Sequence, residues 1–176
     1  MPEPMTVSKR VAQTPASEDQ RGQYLAFTLN GETFAMDIRS IKEVIQFATL
    51  TEVPLMPAFI RGVINLRGSV VPVIDLSVRF GRSSTEIGRR TCIVILEVAQ
   101  KEETAVLGAL VDTVSEVLEI GESGIEPAPA FGSSLRSDFI AGIGKVSGKF
   151  VILLAVDRVL SVEEMAAFSA ERGVEG

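Results

Sequence analysis

The chain has 176 residues, 46% of them hydrophobic, and a formal net charge of −6; that length suffices for one domain or two small ones with a buried core, and the acidic balance opposes a nucleic-acid-binding surface. It contains no His, which removes Ser-His-Asp and Cys-His catalysis, His-ligated zinc and phosphohistidine transfer. Its single cysteine, Cys92, leaves no internal disulfide to form.

Residues 1–21 mix Pro, Ser, Gln and both signs of charge without an apolar segment. They read as a disordered arm, not as a secretory signal. With no export signal and no apolar run of membrane-spanning composition, the expected compartment is the cytoplasm, without direct membrane insertion. Residues 23–29 alternate, placing Leu25, Phe27 and Leu29 on one face. Asn30-Gly31 follows, the strongest short hairpin signal, and residues 32–38 return with Phe34, Met36 and Ile38 on one face. Ser40 to Glu43 fits a capping box, yet Ile41, Val44 and Ile45 suit a strand equally well. Residues 49–53 offer a short strand that Pro54 stops.

Residues 57–76 are the stretch on which the chain turns. Pro57 can open one helical turn and Gly62 can close it. Val63, Ile64 and Leu66 read as a strand, Arg67-Gly68-Ser69 as a hairpin tip, and residues 70–74 as the returning strand. Pro72 inside that strand predicts an edge or a bulge. Asp75 is placed to cap a helical turn over 76–80 that Gly81 ends. Arg61, Asn65, Arg67 and Asp75 are polar groups in an otherwise apolar hairpin.

Residues 81–90 are small and polar, the best internal boundary in the chain. Residues 91–98 form a strongly apolar strand that holds Cys92, 100–103 a charged turn, and 104–114 a long strand bent near Gly108, continued by 115–120. Residues 121–132, with Pro127 and Pro129, read as a loop. Residues 139–146 and 149–156 flank Ser147-Gly148 as another hairpin. Asp157 then caps a turn, and Ser161 to Glu164 fits a second capping box, opening a C-terminal helix through Met165, Ala166 and Phe168. No internal sequence repeat stands out. Many short strands with regular turns and little helix indicate small β-barrels. Residues 141–150 imitate a phosphate loop but fail in detail: Ile143 stands at the first glycine position and Phe150 where the magnesium-binding hydroxyl belongs. Asp112, Glu116, Glu119 and Glu122 read as a solvated acidic face.

The string Pro-Ala-Phe-Ile-Arg-Gly-Val-Ile-Asn-Leu-Arg-Gly at 57–68, followed by Val-Pro-Val-Ile-Asp-Leu at 71–76, resembles the signature of CheW, the coupling protein family of bacterial chemotaxis arrays. The likeness runs from about residue 23 to about residue 165. It implies an all-β fold: two SH3-like five-stranded β-barrels with short helical turns, a C-terminal helix and a groove between the barrels. The CheW-like domain would span 22–170, with the first barrel over about 22–82 plus the C-terminal helix, the second over about 83–156, and a flexible end at 171–176. It implies a non-enzymatic adaptor, with no cofactor, that couples chemoreceptors (methyl-accepting chemotaxis proteins) to the histidine kinase CheA, cytoplasmic but recruited to membrane receptor arrays.

Carried over position by position, receptor contact or its support falls on Ile41, Glu43, Gly62 and Arg67. Kinase contact falls near Gly62 and around Val98, Gln100 and Thr104. Part of the apolar set Ile38, Ile41, Val44 and Ile45 would then be exposed as a docking surface rather than buried as core. Glu43 and Arg67 are expected to pair across the first barrel, partly buried, and so to shape the groove. Ile45 stands where the family often has a polar or charged residue. The alternatives are a related scaffold in a non-flagellar pathway, a nucleic-acid-binding small barrel, which the charge opposes, and an enzyme on a small barrel, which the missing His opposes.

Overall fold

The computed structural model describes residues 21–100, 103–127 and 137–161. In chain order these give β1 (Arg21–Leu29), β2 (Glu32–Asp37), β3 (Ile41–Gln46), β4 (Ile60–Leu66), β5 (Ser69–Asp75), the four-residue helix α1 (Leu76–Arg79), β6 (Cys92–Gln100) and β7 (Glu103–Val111). They continue with β8 (Thr113–Gly121), the two-residue β9 (Ile125–Glu126), β10 (Ile140–Val146), β11 (Lys149–Leu154) and α2 (Val156–Val159). The N-terminal arm and the expected C-terminal helix lie outside the described residues.

Three two-residue turns set the hairpins. Asn30-Gly31, Arg67-Gly68 and Ser147-Gly148 all have positive φ at both positions, the conformation whose twist matches that of the flanking strands. Residues 40–43 open no helix. Only the 3₁₀ turn Ile38–Ser40 precedes β3, and the branched Ile41, Val44 and Ile45 pair with β6, because strand pairing and the packing of Ile41 and Ile45 outweigh an isolated cap signal. The Asp37 side chain caps that 3₁₀ turn, accepting the Arg39 N–H at 2.8 Å.

Several local expectations change. Residues 49–53 contribute one bridge, Thr51 opposite Val63, instead of a strand. Gly62 lies inside β4 at a register break, not at the end of a helical turn. Pro72 sits on an inner strand, opposite Val63; β5 begins its parallel pairing with β7 only at Val73, so the missing N–H costs no ladder bond. No bulge marks Gly108, where β6 and β7 keep unbroken register. A Cβ there would come 2.8 Å from Ile93 Cγ2, so close packing explains that glycine. Asp157 falls in the first turn of α2, whose cap is Ala155, without a side-chain bond.

The strands form two sheets. One has six strands in the order β8-β1-β2-β11-β10-β9, the other five in the order β3-β6-β7-β5-β4. The expected division at about residue 82 does not follow the sheets. The chain enters the five-stranded sheet after Asp37 and leaves it at Asp112, so that sheet is inserted within the other. The reason is parallel pairing: β2 bonds to β11 and β5 to β7, which binds the first hairpin to the last.

Each sheet curls around its own core. Ala35, Ile120, Val151 and Leu153 fill the six-stranded barrel. Ile64, Val71, Val73, Ile93, Ile95 and Leu110 fill the five-stranded one. A larger apolar layer, with Phe27, Phe34, Met36, Val94, Leu96 and Val98 at its centre, lies between them. Strand alternation explains the division: on β6, Ile93 and Ile95 turn inward while Val94, Leu96 and Val98 turn to the other barrel. At the rim, Arg79 of α1 donates from Nε to Val159 O of α2 at 2.7 Å. Its guanidinium stands over Phe59 and Phe139, 5.2 and 4.9 Å from the ring centres.

The sheets are two copies of one design. Each residue of the β4–β5 hairpin has a counterpart 80 positions on in β10–β11: Ile60 and Ile140, Gly62 and Gly142, Arg67 and Ser147. Both hairpins break register at the first of these pairs, both second strands pair in parallel, and a helical turn follows each. At Gly62 (φ 155°) a Cβ would lie 2.6 Å from Thr51 O, so only glycine lets the bridge strand approach. Gly68, at φ 92°, has open space around it.

Gly62→Ala is therefore expected to destabilise the fold by more than about 2 kcal/mol, combining backbone strain with a clash. Gly68→Ala, which meets strain alone, should cost about 1 kcal/mol. Urea unfolding of the two variants checks the order. At the crossing from β2 to β3, the Arg39 side-chain hydrogen bond holds the Asp37 carboxyl below its ordinary value. A lowered carboxyl stabilises the fold above its unfolded pKa, near 4, and that contribution is lost as pH falls through the folded value. Asp37→Asn should flatten this acid limb in a plot of Tm against pH.

Candidate functional site

The five-stranded barrel has edges at β3 and β4, and two contacts close the seam between them. Thr51 exchanges backbone hydrogen bonds with Val63, at 2.9 and 2.8 Å. Arg67, at the tip of the β4–β5 hairpin, donates from Nη2 to the Glu43 carboxylate of β3. The turn is set beforehand, because Asn65 Oδ1 accepts the Gly68 N–H at 2.8 Å. Glu43 and Arg67 thus pair as the sequence led us to expect, but unequally. The Glu43 side chain is 29% exposed and that of Arg67 69%, so solvent screens the pair and limits it to about 0–1 kcal/mol.

Apolar side chains face outward around this seam. Val44 follows Glu43 on β3, Val70 follows the hairpin tip, and Val53 and Leu55 lie in the connection from β3 to β4; all four are exposed. Leu55 also has a φ of 65°, costly for a residue with a Cβ. Of the apolar set named from sequence, Ile38 and Ile41 pack on the layer between the barrels and Ile45 on the inner core, leaving Val44 as its outward member. Val70 was legible in principle: two adjacent valines on one strand cannot both face inward.

The other expected contacts separate. Gly62 is buried beneath Thr51. Val98 is fully buried in the layer between the barrels. Gln100 pairs with Glu103 and Thr104 with Ala99 at the far end of the β6–β7 hairpin, where Thr104 is exposed. In the acidic stretch, Asp112 accepts the Asn30 N–H at 2.7 Å, whereas Glu116, Glu119 and Glu122 face solvent.

Arg61 and Asp75 form a second, internal constellation. Asp75 is fully buried and caps α1 by accepting the Ser77 and Val78 N–H groups. Its Oδ2 also accepts from Arg61 Nη1 at 2.7 Å and from Thr85 N at 2.9 Å, and its Oδ1 from Thr85 Oγ1 at 3.0 Å. Both carboxylate oxygens are therefore satisfied, and the arginine that stood out in the sequence is internal scaffolding. Among the described residues no group of His, Cys, Asp and Glu could hold a metal ion, and no helix is long and apolar enough to cross a membrane.

Residues 23–164 match the family model of the CheW-like domain. The chain is similar to the chemotaxis protein CheW of Klebsiella aerogenes, with 36% identity over 92% of each chain. It is also similar to the chemotaxis protein CheW of Rhizobium meliloti, with 32% identity over 82% of this chain and 91% of that one. Among solved structures it is similar to the scaffolding protein TtCheW from Thermoanaerobacter tengcongensis, with a TM-score of 0.72 and 32% identity over 82% of this chain and 91% of that one.

Arg61→Ala strips the buried Asp75 of its charge partner and should cost about 3–5 kcal/mol in chemical unfolding. The exposed pair behaves differently. A double-mutant cycle of Glu43→Gln with Arg67→Gln should give a coupling of about 0.5 kcal/mol, and strictly additive effects would show that the contact contributes nothing.

Proposed function

The chain belongs to the CheW-like domain family of chemotaxis scaffold proteins, and on that footing we propose that it couples chemoreceptors to the histidine kinase CheA as a non-enzymatic adaptor. The observation that carries this reading is the Glu43–Arg67 pair across the barrel seam, flanked by outward-facing Val44 and Val70. An exposed apolar patch with a charged centre suits one face of a helix, with anchors spaced along its length. Receptor tips supply such helices. Glu43 and Arg67 make the contact, while Ile41 and the buried Gly62 support it from behind.

The kinase contact lies at the barrel ends, near Gly62 and on the β6–β7 hairpin. There Thr104 offers an exposed side chain, Gln100 lies at the strand end, and the buried Val98 holds the strand from within. The protein works in the cytoplasm at membrane-bound receptor arrays. Each contact is small, toward the lower end of roughly 1,200–2,000 Å², and persistence comes from the avidity of the array.

The test is binding of the purified chain to a receptor helical-hairpin fragment and, separately, to the regulatory domain of CheA. Arg67→Ala should weaken the receptor contact by at least about fivefold, close to 1 kcal/mol. Its Tm should fall by no more than about 2 °C, and its affinity for the kinase should stay unchanged. Sub-nanomolar affinity for the isolated receptor fragment, or an Arg67→Ala variant that binds it normally, would overturn the reading.

A further inference from the structure

The two-copy design sets apart one device that only the five-stranded barrel carries. The counterpart of Asp75 in the six-stranded barrel is Ala155, and α2 forms there without any side-chain cap. What Asp75 and Arg61 add to the five-stranded barrel is an anchor for Thr85, midway along the connection 82–91. Thr85 is held by Asp75 through its N–H and its hydroxyl, and Arg61 reaches Thr85 O at 3.1 Å. Ser77 Oγ donates to Ser83 O at 2.6 Å, Gly88 N to Thr91 Oγ1 at 2.7 Å, and Arg82 pairs with Glu32 at 2.7 Å.

The pinned loop walls a groove of about 880 Å³, closed on the other side by the β1–β2 turn and the Asp112–Thr113 crossing. That volume is in the range of small-ligand sites, whose walls are usually apolar; no apolar side chain lines this one. Arg89 and Arg90 are exposed on it, and among the described residues neither has a carboxylate partner.

We propose that this groove seats the phosphate group of a small, hydroxyl-bearing phosphate ester. The guanidinium forks of Arg89 and Arg90 match phosphate oxygens in pairs, and the Ser84 and Thr113 hydroxyls, with the Glu86 carboxylate, meet the hydroxyls of the ligand. Glu86 and Asp112, both on the groove, disfavour a chain of several phosphates by like-charge repulsion. A loop fixed before binding spares the cost of ordering it.

The test titrates the isotope-labelled chain with adenosine monophosphate, and separately with inorganic phosphate, at constant ionic strength, following amide signals by NMR. Both should shift Arg89, Arg90 and Thr113 saturably, with the nucleotide binding more tightly. The double variant Arg89→Ala with Arg90→Ala, its Tm unchanged, should bind each at least about tenfold more weakly, equivalent to one charge-assisted contact. Equal affinity for the two would assign the site to free phosphate and overturn the ester. Absent or non-saturating shifts, or shifts that survive in the double variant, would overturn the site altogether.

Discussion

The apolar layer between the two barrels is the constraint on which the rest of the molecule depends. It takes side chains from both sheets, and the strands that supply it also feed the cores inside the barrels. A strand buried on both faces cannot shift by one residue without exchanging its two sets of contacts. The layer therefore fixes register in both sheets at once. Its aromatic line runs Phe27, Phe34, Phe80, Phe139, with successive ring centres 5.6 to 5.9 Å apart; each such pair contributes about 0.5–1.5 kcal/mol beyond its buried area. Because Phe80 follows α1 and Phe139 ends the 3₁₀ turn before β10, the line joins the barrels rather than filling either.

On that rigid base, charge is used in two unlike ways. Asp75 lies deep with both carboxylate oxygens satisfied, and its partly buried partner Arg61 matters through what fails when it is removed. Glu43 and Arg67 lie at the surface, where the net energy is small and geometry is the product: the pair holds the hairpin tip over β3. The same hairpin supplies both arginines, six residues apart, one turned inward and one at the tip.

Much of this was legible in the sequence. The Asn30-Gly31 turn, the apolar runs of β5 and β6, the Asp75 cap and the Glu43–Arg67 pairing all rest on short-range chemistry or on a long family signature. What escaped notice rests on long-range pairing. The repeat between the two hairpins is carried by a few glycines and turn positions in strands whose other residues have diverged. The insertion of one sheet within the other follows from β2 meeting β11 across more than a hundred residues, which no local pattern announces. Val98 looked available because strand alternation gives the side of a residue but not whether a second barrel covers that side. The capping-box spacing at Ser40 left helix and strand equally open, and the packing of Ile41 and Ile45 against the cores decided for the strand.

The insertion of the five-stranded sheet within the six-stranded one sets an order of assembly. The five-stranded barrel draws all its strands from one unbroken length, Ile41 to Val111, and has its complete sheet as soon as that length has left the ribosome. The first hairpin emerges earlier but has no neighbours of its own: β8 must follow to cover β1, and β11 to cover β2. Once that barrel is made, Phe27 and Phe34 can rest on its outer apolar face, the face that becomes the layer between the two. The inserted barrel thus serves as the template on which the surrounding one is completed, and β2, among the first strands to be made, is among the last to gain its second sheet neighbour.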